Sequence, residues 1–278
     1  MLGRLPAGEG GTVTHLSLFS GVGGLDLAAE AAGFVTVGQC EWADYPTRVL
    51  EKHWPDVPRW RDIRTLTKEN FYEQTGLRTV DVISGGFPCQ PFSTAGKRRG
   101  KEDDRYLWPE MLRVIEGLRP RWVVGENVAG IVSMELDTVL ADLEDIEYAT
   151  GAVIIPACAV DACHRRERCA IMAHSNSRQP MWRERTLYEI ESLGRSRGNY
   201  RGGTEEHERG ERRTAQPRLG GVADGVSHWL DEPLNVPRIA KGVEDRVNKL
   251  KCLGNAVVRQ QFFPIFQAIW DIETGVRT

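Results

Sequence analysis

The sequence predicts an α/β fold in which short buried strands alternate with helices around one sheet. Two stretches carry that expectation. Thr14 to Phe19 reads as a buried strand; Ser20-Gly-Val-Gly-Gly24 follows, and Leu25 to Ala32 reads as a helix with Gly33 at its end. Strand, glycine-rich turn and helix form the βα unit of nucleotide-binding sheets, although glycine-rich turns also serve plain packing. Val80 to Ser84 is a second apolar run of strand length, ended by Gly85 and Gly86, after which Pro88 and Pro91 hold Cys89 in a stiff turn. A thiol just past the carboxyl end of a strand stands where open α/β sheets bind ligands. A chain of 278 residues, 41% hydrophobic and 27% charged, fits one sizeable domain or a domain with a smaller insert.

The remaining elements follow in order. Val35 to Cys40 is a strand that ends at Glu41-Trp42. An acid about 20 positions after a glycine turn commonly binds ribose hydroxyls, and Trp42 beside it can stack on a purine. Asp44 to His53 reads as an amphipathic helix, and Arg61-Asp62-Ile63 ends a short third segment. Asp62 suits an exocyclic amine or, equally, a helix cap. Thr94 to Arg105 is polar and carries Lys97, Arg98, Arg99 and Lys101, which suits a mobile loop that meets phosphates. Leu107 to Leu118 is a helix ended by Gly117 and Pro120. Arg121 to Asn127 is a strand and its exit, which brings Glu126 to the sheet edge of Cys89 as a nucleophile and acid pair. A helix over Val139–Asp145, a strand over 147–160 with Pro156 at an edge or bend, and a strand over Cys169–Ala173 complete the core.

From His174 the composition changes. Residues 175–218 hold ten arginines, no lysine and seven glutamates, with few aliphatics, as in an insert that orders on a partner. Residues 219–229 and 234–243 read as a small loop-rich lobe. Val247 to Val258 returns to core-like sequence, and Gln260 to Ile269 is an amphipathic helix. The net charge of −3 excludes a global basic field. The six scattered cysteines, with no secretory segment, argue against a disulfide scaffold and for a cytoplasmic location. Cys158, Cys163, His164 and Cys169 lack the paired short Cys-x-x-Cys knuckle of most structural zinc sites, so no metal is expected. The longest apolar run, residues 151–160, is too short to span a bilayer.

Several of these stretches resemble, in order, the motifs of the DNA (cytosine-5)-methyltransferases. Leu18-Phe-Ser-Gly-Val-Gly-Gly24 is similar to that family's S-adenosylmethionine glycine motif, and Glu41-Trp42 and Asp62-Ile63 to its ribose and adenine contacts. Gly86-Phe-Pro-Cys-Gln90 resembles its nucleophile turn, Glu126-Asn127-Val128 its acid motif, Arg166 and Arg168 the arginines of Gln-x-Arg-x-Arg, and Gly254-Asn255-Ala256-Val257 the closing motif. Departures are Cys163 for a usual proline, His164 for a frequent glutamine and Arg259 for a frequent proline.

The resemblance implies a Rossmann-like S-adenosylmethionine-dependent methyltransferase sheet with a small loop-rich target-recognition lobe. Residues 1–13 would be a flexible tail, 14–173 the catalytic domain, 174–249 the target-recognition region and 250–278 a return to the catalytic domain. Cys89 would attack cytosine C6, Glu126 would donate to N3, Arg168 would hold O2 and Arg166 would brace the site. S-adenosylmethionine would lie against Phe19, Ser20, Gly21, Gly23, Gly24, Leu25, Glu41, Trp42, Asp62, Ile63, Pro88, Leu107, Asn255 and Ala256. The expected partners are double-stranded DNA, with the target base flipped out, and a cognate restriction nuclease, with no membrane; the chain is expected to be a monomer. Two alternatives remain open here: an RNA (tRNA) cytosine-5 methyltransferase, and an inactive homologue that binds DNA. A nicotinamide oxidoreductase fits the glycine turn but neither the cysteine turn nor the arginine pair.

Overall fold

A computed structural model of the chain describes residues 12–88, 106–175 and 245–275. Its centre is a seven-stranded sheet in the order β3-β2-β1-β4-β5-β7-β6. The strands are β1 (Thr14–Leu18), β2 (Val35–Cys40), β3 (Arg59–Trp60), β4 (Val82–Gly85), β5 (Trp122–Val128), β6 (Tyr148–Ile155) and β7 (Arg168–Ser175). From β3 to β5 each neighbouring pair is parallel, and β7 enters antiparallel between β5 and β6. The helices among the described residues are α1 (Gly24–Ala31), α2 (Asp44–His53), α3 (Lys68–Thr75), α4 (Trp108–Leu118), α5 (Leu136–Asp145), α6 (Arg246–Asn255) and α7 (Arg259–Thr274).

The alternation of side chains along each strand builds two cores. Leu16, Ile83, Val123 and Ile171 join one face with Phe71, Met111 and Leu143. Val82, Val124 and Ala170 join the other, where α1 supplies Leu25, Ala28 and Ala29 and α7 supplies Phe262, Ile265 and Phe266. At the far end of α7, Glu273 accepts the Trp122 indole N–H at 2.9 Å and pairs with Arg121. The sheet's middle holds a fully buried histidine, His15, within 2.7 Å of Ser84 Oγ and 3.2 Å of Thr36 Oγ1. Burial pushes its pKa down to about 3, so the ring is neutral.

Some elements differ from expectation. The segment before β4, not assigned above, forms α3, started by a capping box between Thr67 and Asn70. Gly117 lies inside α4; the residue that ends the helix in the left-handed region is Arg119, at φ 49. That conformation is unusual for a side-chain-bearing residue, and the guanidinium anchors it: it donates to the Ile146 carbonyl at 2.8 Å and lies over the Tyr148 ring. The strand expected to run to Val160 stops at Ile155, because Pro156 opens a 3₁₀ turn over Ala157–Val160. α6 is not core: none of its residues is buried, and Val247, Leu250 and Leu253 share one exposed face at a spacing of three. His174 and Ser175 belong to β7, and Arg246 to Lys249 belong to α6. Cys89, the 94–105 loop, residues 1–11 and the segment 176–244 lie outside the described residues.

Candidate active site

A cleft of about 1240 Å³ opens at the carboxyl ends of the parallel strands. Each strand exit supplies part of its wall. Phe19 and Gly21 follow β1, Glu41 and Trp42 follow β2, Asp62 and Ile63 follow β3, and Gly86 to Pro88 follow β4. Glu126 and Asn127 project from β5, Arg168 opens β7, Leu107 precedes α4, and Asn255 and Ala256 close the wall from the end of α6.

One end of the cleft is built on the glycine turn. Gly21 adopts φ 56 with open space where a Cβ would stand, so its backbone faces the cleft. Glu41 accepts the Gly21 N–H at 2.8 Å and the Ala43 N–H at 2.8 Å, which staples the turn to the exit of β2. Trp42 is 68% exposed at the rim, an open aromatic face beside that carboxylate. Asp62 is both wall and cap: its Oδ1 accepts the Arg64 N–H at 3.0 Å. Ser20, Gly23, Gly24 and Leu25 stand behind the wall. Ser20 donates to the Ser17 carbonyl at 3.0 Å, and Leu25 is in the core. A Cβ on Gly24 would come within 2.8 Å of the Val257 carbonyl oxygen, so this glycine lets the closing segment dock on α1.

Beneath the turn lies a polar chain that sequence reading missed. Asp26 is fully buried and accepts the Ser17 hydroxyl and the Gln39 amide, each at 2.8 Å. Gln39 in turn accepts the Arg59 Nε–H at 2.9 Å. Burial pushes the Asp26 carboxyl up to about 6 against the pull of these hydrogen bonds.

The other end of the cleft holds the ionisable pair. Glu126 and Arg168 meet diagonally across the β5–β7 ladder, with Arg168 Nε 2.7 Å from Glu126 Oε1 and only 12% and 14% of the two side chains exposed. Burial raises the Glu126 carboxyl above its ordinary range, opposed by Arg168 and Arg166. The turn leading to Cys89 is fitted to this carboxylate. A Cβ on Gly86 would stand 2.7 Å from Glu126 Oε2, and the Asn127 side-chain amide donates to the Phe87 carbonyl at 2.9 Å. The described chain reaches Pro88 in the wall, next to Cys89. Arg166 is not in the wall. Its guanidinium donates to the carbonyls of Gly254 at 2.7 Å and Ala256 at 2.6 Å, so it acts on the closing segment. Gln261, at the start of α7, was also missed; it bonds the carbonyls of Ile155 and Arg166.

The arrangement offers an open aromatic and carboxylate end for a nucleoside-like ligand, and a buried acid with a cation at the mouth of the cysteine turn. Among the described residues no helix is long and apolar enough to cross a membrane.

Residues 13–215 match the profile of the C-5 cytosine-specific DNA methylase family. The chain is 36% identical over 143 residues to the Type II methyltransferase M.AquIA of Picosynechococcus sp., covering 48% of this chain and 58% of that protein. It is 30% identical over 166 residues to the Type II methyltransferase M.HhaI of Haemophilus parahaemolyticus, covering 58% of this chain and 49% of that protein. It therefore spans about half the length of these relatives. A solved structure of a prophage-encoded E. coli protein, described as a DNA modification methyltransferase, superposes with a TM-score of 0.53 at 25% identity, over 60% of this chain and 47% of that one.

Proposed function

Because the chain belongs to the C-5 cytosine-specific DNA methylase family, we propose that it transfers a methyl group from S-adenosylmethionine to C5 of a flipped cytosine in double-stranded DNA, through a covalent bond to Cys89. The observation that carries this reading is the buried Glu126–Arg168 pair beside the turn that leads into Cys89. A carboxyl whose burial favours its protonated form and a fixed cation side by side match a pyrimidine edge that presents N3 and O2 as charge gathers there.

The cleft fits the cofactor. Phe19, Trp42, Ile63, Pro88 and Leu107 give it apolar walls, Gly21 gives it an open backbone, and Glu41 and Asp62 give it carboxylates for hydroxyl and amine groups. Asn255 and Ala256 would close over it from the far side. When bound, S-adenosylmethionine supplies an electrophilic methyl group on a sulfonium.

The chain's own groups do the rest. Cytosine C5 is a poor nucleophile in the intact ring. Addition of the Cys89 thiolate to C6 breaks the aromaticity and makes C5 enamine-like. Negative charge moves toward N3 and O2. Glu126, kept protonated more readily by its burial, donates at N3, and Arg168 holds O2. Once C5 carries the methyl group that the cofactor would supply, loss of the C5 proton to a base, departure of Cys89 and return of the N3 proton to Glu126 restore the ring. A base stacked in duplex cannot be reached from both faces, so the target must leave the helix. The core motifs serve any cytosine. We assign target choice to the segment 176–244, whose arginines suit guanine edges and phosphates. With DNA as substrate the chain works in the cytoplasm.

Labelled methyl transfer to duplex DNA and to tRNA, followed by bisulfite sequencing of the DNA, tests the reading. Label at cytosine C5 of duplex DNA is the expected result. Label on tRNA alone would move the assignment to an RNA methyltransferase. Cofactor and DNA binding without transfer to either would make the chain an inactive homologue.

A further inference from the structure

The cleft wall at Gly254–Ala256 and the start of β7 meet at a joint centred on Gln261. This side chain is fully buried in the first turn of α7. Its Nε2 donates to the Ile155 carbonyl at 2.6 Å and to the Arg166 carbonyl at 3.0 Å. One amide thus ties the end of β6 to the turn that enters β7. That turn is under backbone strain, since Arg166 stands at φ 30. Such a conformation persists only where the surroundings over-determine it. Here it is gripped from both sides: Gln261 holds the Arg166 carbonyl, and the Arg166 guanidinium holds the Gly254 and Ala256 carbonyls.

The glutamine does more than fill the core at this position. Its Oε1 is buried with no hydrogen-bond partner among the described residues, as is Arg166 Nε. What the glutamine does is fix a turn with two outputs. Arg166 leads to the cofactor wall, and Arg168, two residues on, leads to Glu126.

We propose that Gln261 is a positioning residue that holds the Arg166 turn, and through it both sets the cleft wall at Asn255–Ala256 and seats Arg168 on Glu126. The catalytic half of this statement rests on the methyltransferase reading; the wall half concerns ligand binding alone.

The test compares the full chain with Q261M and with Q267M, a control in the same helix whose amide bonds Asp271 at 2.8 Å. S-adenosylhomocysteine affinity is measured by calorimetry, and single-turnover transfer at saturating cofactor is measured against pH. Q261M should weaken affinity about tenfold and slow transfer about tenfold, the equivalent of one lost hydrogen bond at each output. The alkaline limb of its rate profile should move to higher pH. Glu126 is faced by Arg168, Arg166 and the Cys169 thiol, and loosening the two arginines removes what holds its pKa down. Q267M should match the parent in all three. R166K breaks the same joint at its guanidinium, should reproduce both losses, and stands in if Q261M does not fold. The double variant should be no worse than the worse single one. Variants that melt earlier but keep the parent's affinity and pH profile would overturn the proposal, as would additive losses. If the parent transfers no methyl group, the methyltransferase reading fails, while a loss of affinity in Q261M still supports the wall half and unchanged affinity overturns it.

Discussion

Replacing Gly86 by alanine adds one methyl group at the closest approach between the nucleophile turn and the acid. The new Cβ would stand 2.7 Å from Glu126 Oε2, whereas a relaxed carbon–oxygen contact is about 3.3 Å or more. The carboxylate must therefore withdraw by about 0.6 Å. It cannot do so freely, because its other oxygen is held at 2.7 Å by Arg168 and the pair is nearly buried. A charge-assisted hydrogen bond contributes about 1.5–3 kcal/mol. Losing most of it, with the acid displaced from N3, corresponds to a fall in kcat of about 10–100-fold at roughly 1.4 kcal/mol per tenfold. The backbone at Gly86 is not in the left-handed region, so alanine fits the chain and the variant should fold. The assay is single-turnover methyl transfer to duplex DNA, with S-adenosylhomocysteine affinity measured beside it. Slowed transfer with near-parent affinity is expected. G86A transferring at the parent rate would refute the view that this close contact seats the catalytic acid.

Three further outcomes are expected. Cys89→Ala should abolish transfer while cofactor affinity stays near the parent value, and DNA carrying 5-fluorocytosine at the target should trap the parent, but not the variant, in a denaturation-resistant complex; substantial turnover by C89A would remove the nucleophile assignment. Asp26→Asn should flatten part of the stability–pH curve. A carboxyl raised from 3.8 to about 6 in the fold binds more protons folded than unfolded in that window, so the parent loses stability as pH rises from about 4 to about 6, by about 3 kcal/mol. The difference between parent and D26N in urea unfolding should shift by about that amount across the window, and a pH-independent difference would contradict the buried-carboxylate account. Exchanging 176–244 for the equivalent segment of a relative with another target should transfer the target sequence without changing cofactor affinity; an active chimera that kept the old target would point to the 94–105 loop.

Most of the element order and most of the cleft were legible in the amino-acid chain. Glycine turns, strand-length apolar runs and the residues just after them are local signals, and in a parallel sheet the residues after the strands converge at one edge. That is why Glu41, Asp62 and Glu126 were legible as cleft residues before their distances were known, whereas Arg168, which opens the antiparallel β7, was legible only through the family resemblance. The Thr67–Asn70 capping box was equally local, and reading it would have located α3. What only the tertiary structure decided is which polar groups meet across the fold. Gly24 is small because Val257 passes over it, and Gly86 because Glu126 lies beneath it. Asp26 and Gln261 look like surface residues of two helices until Ser17 and Gln39, or the carbonyls of Ile155 and Arg166, close on them. The apolar residues of α6 look like core, yet their shared face is exposed. A chain records which groups can bond or be buried. Which of them are buried together depends on distances between residues far apart in sequence, and packing alone sets those.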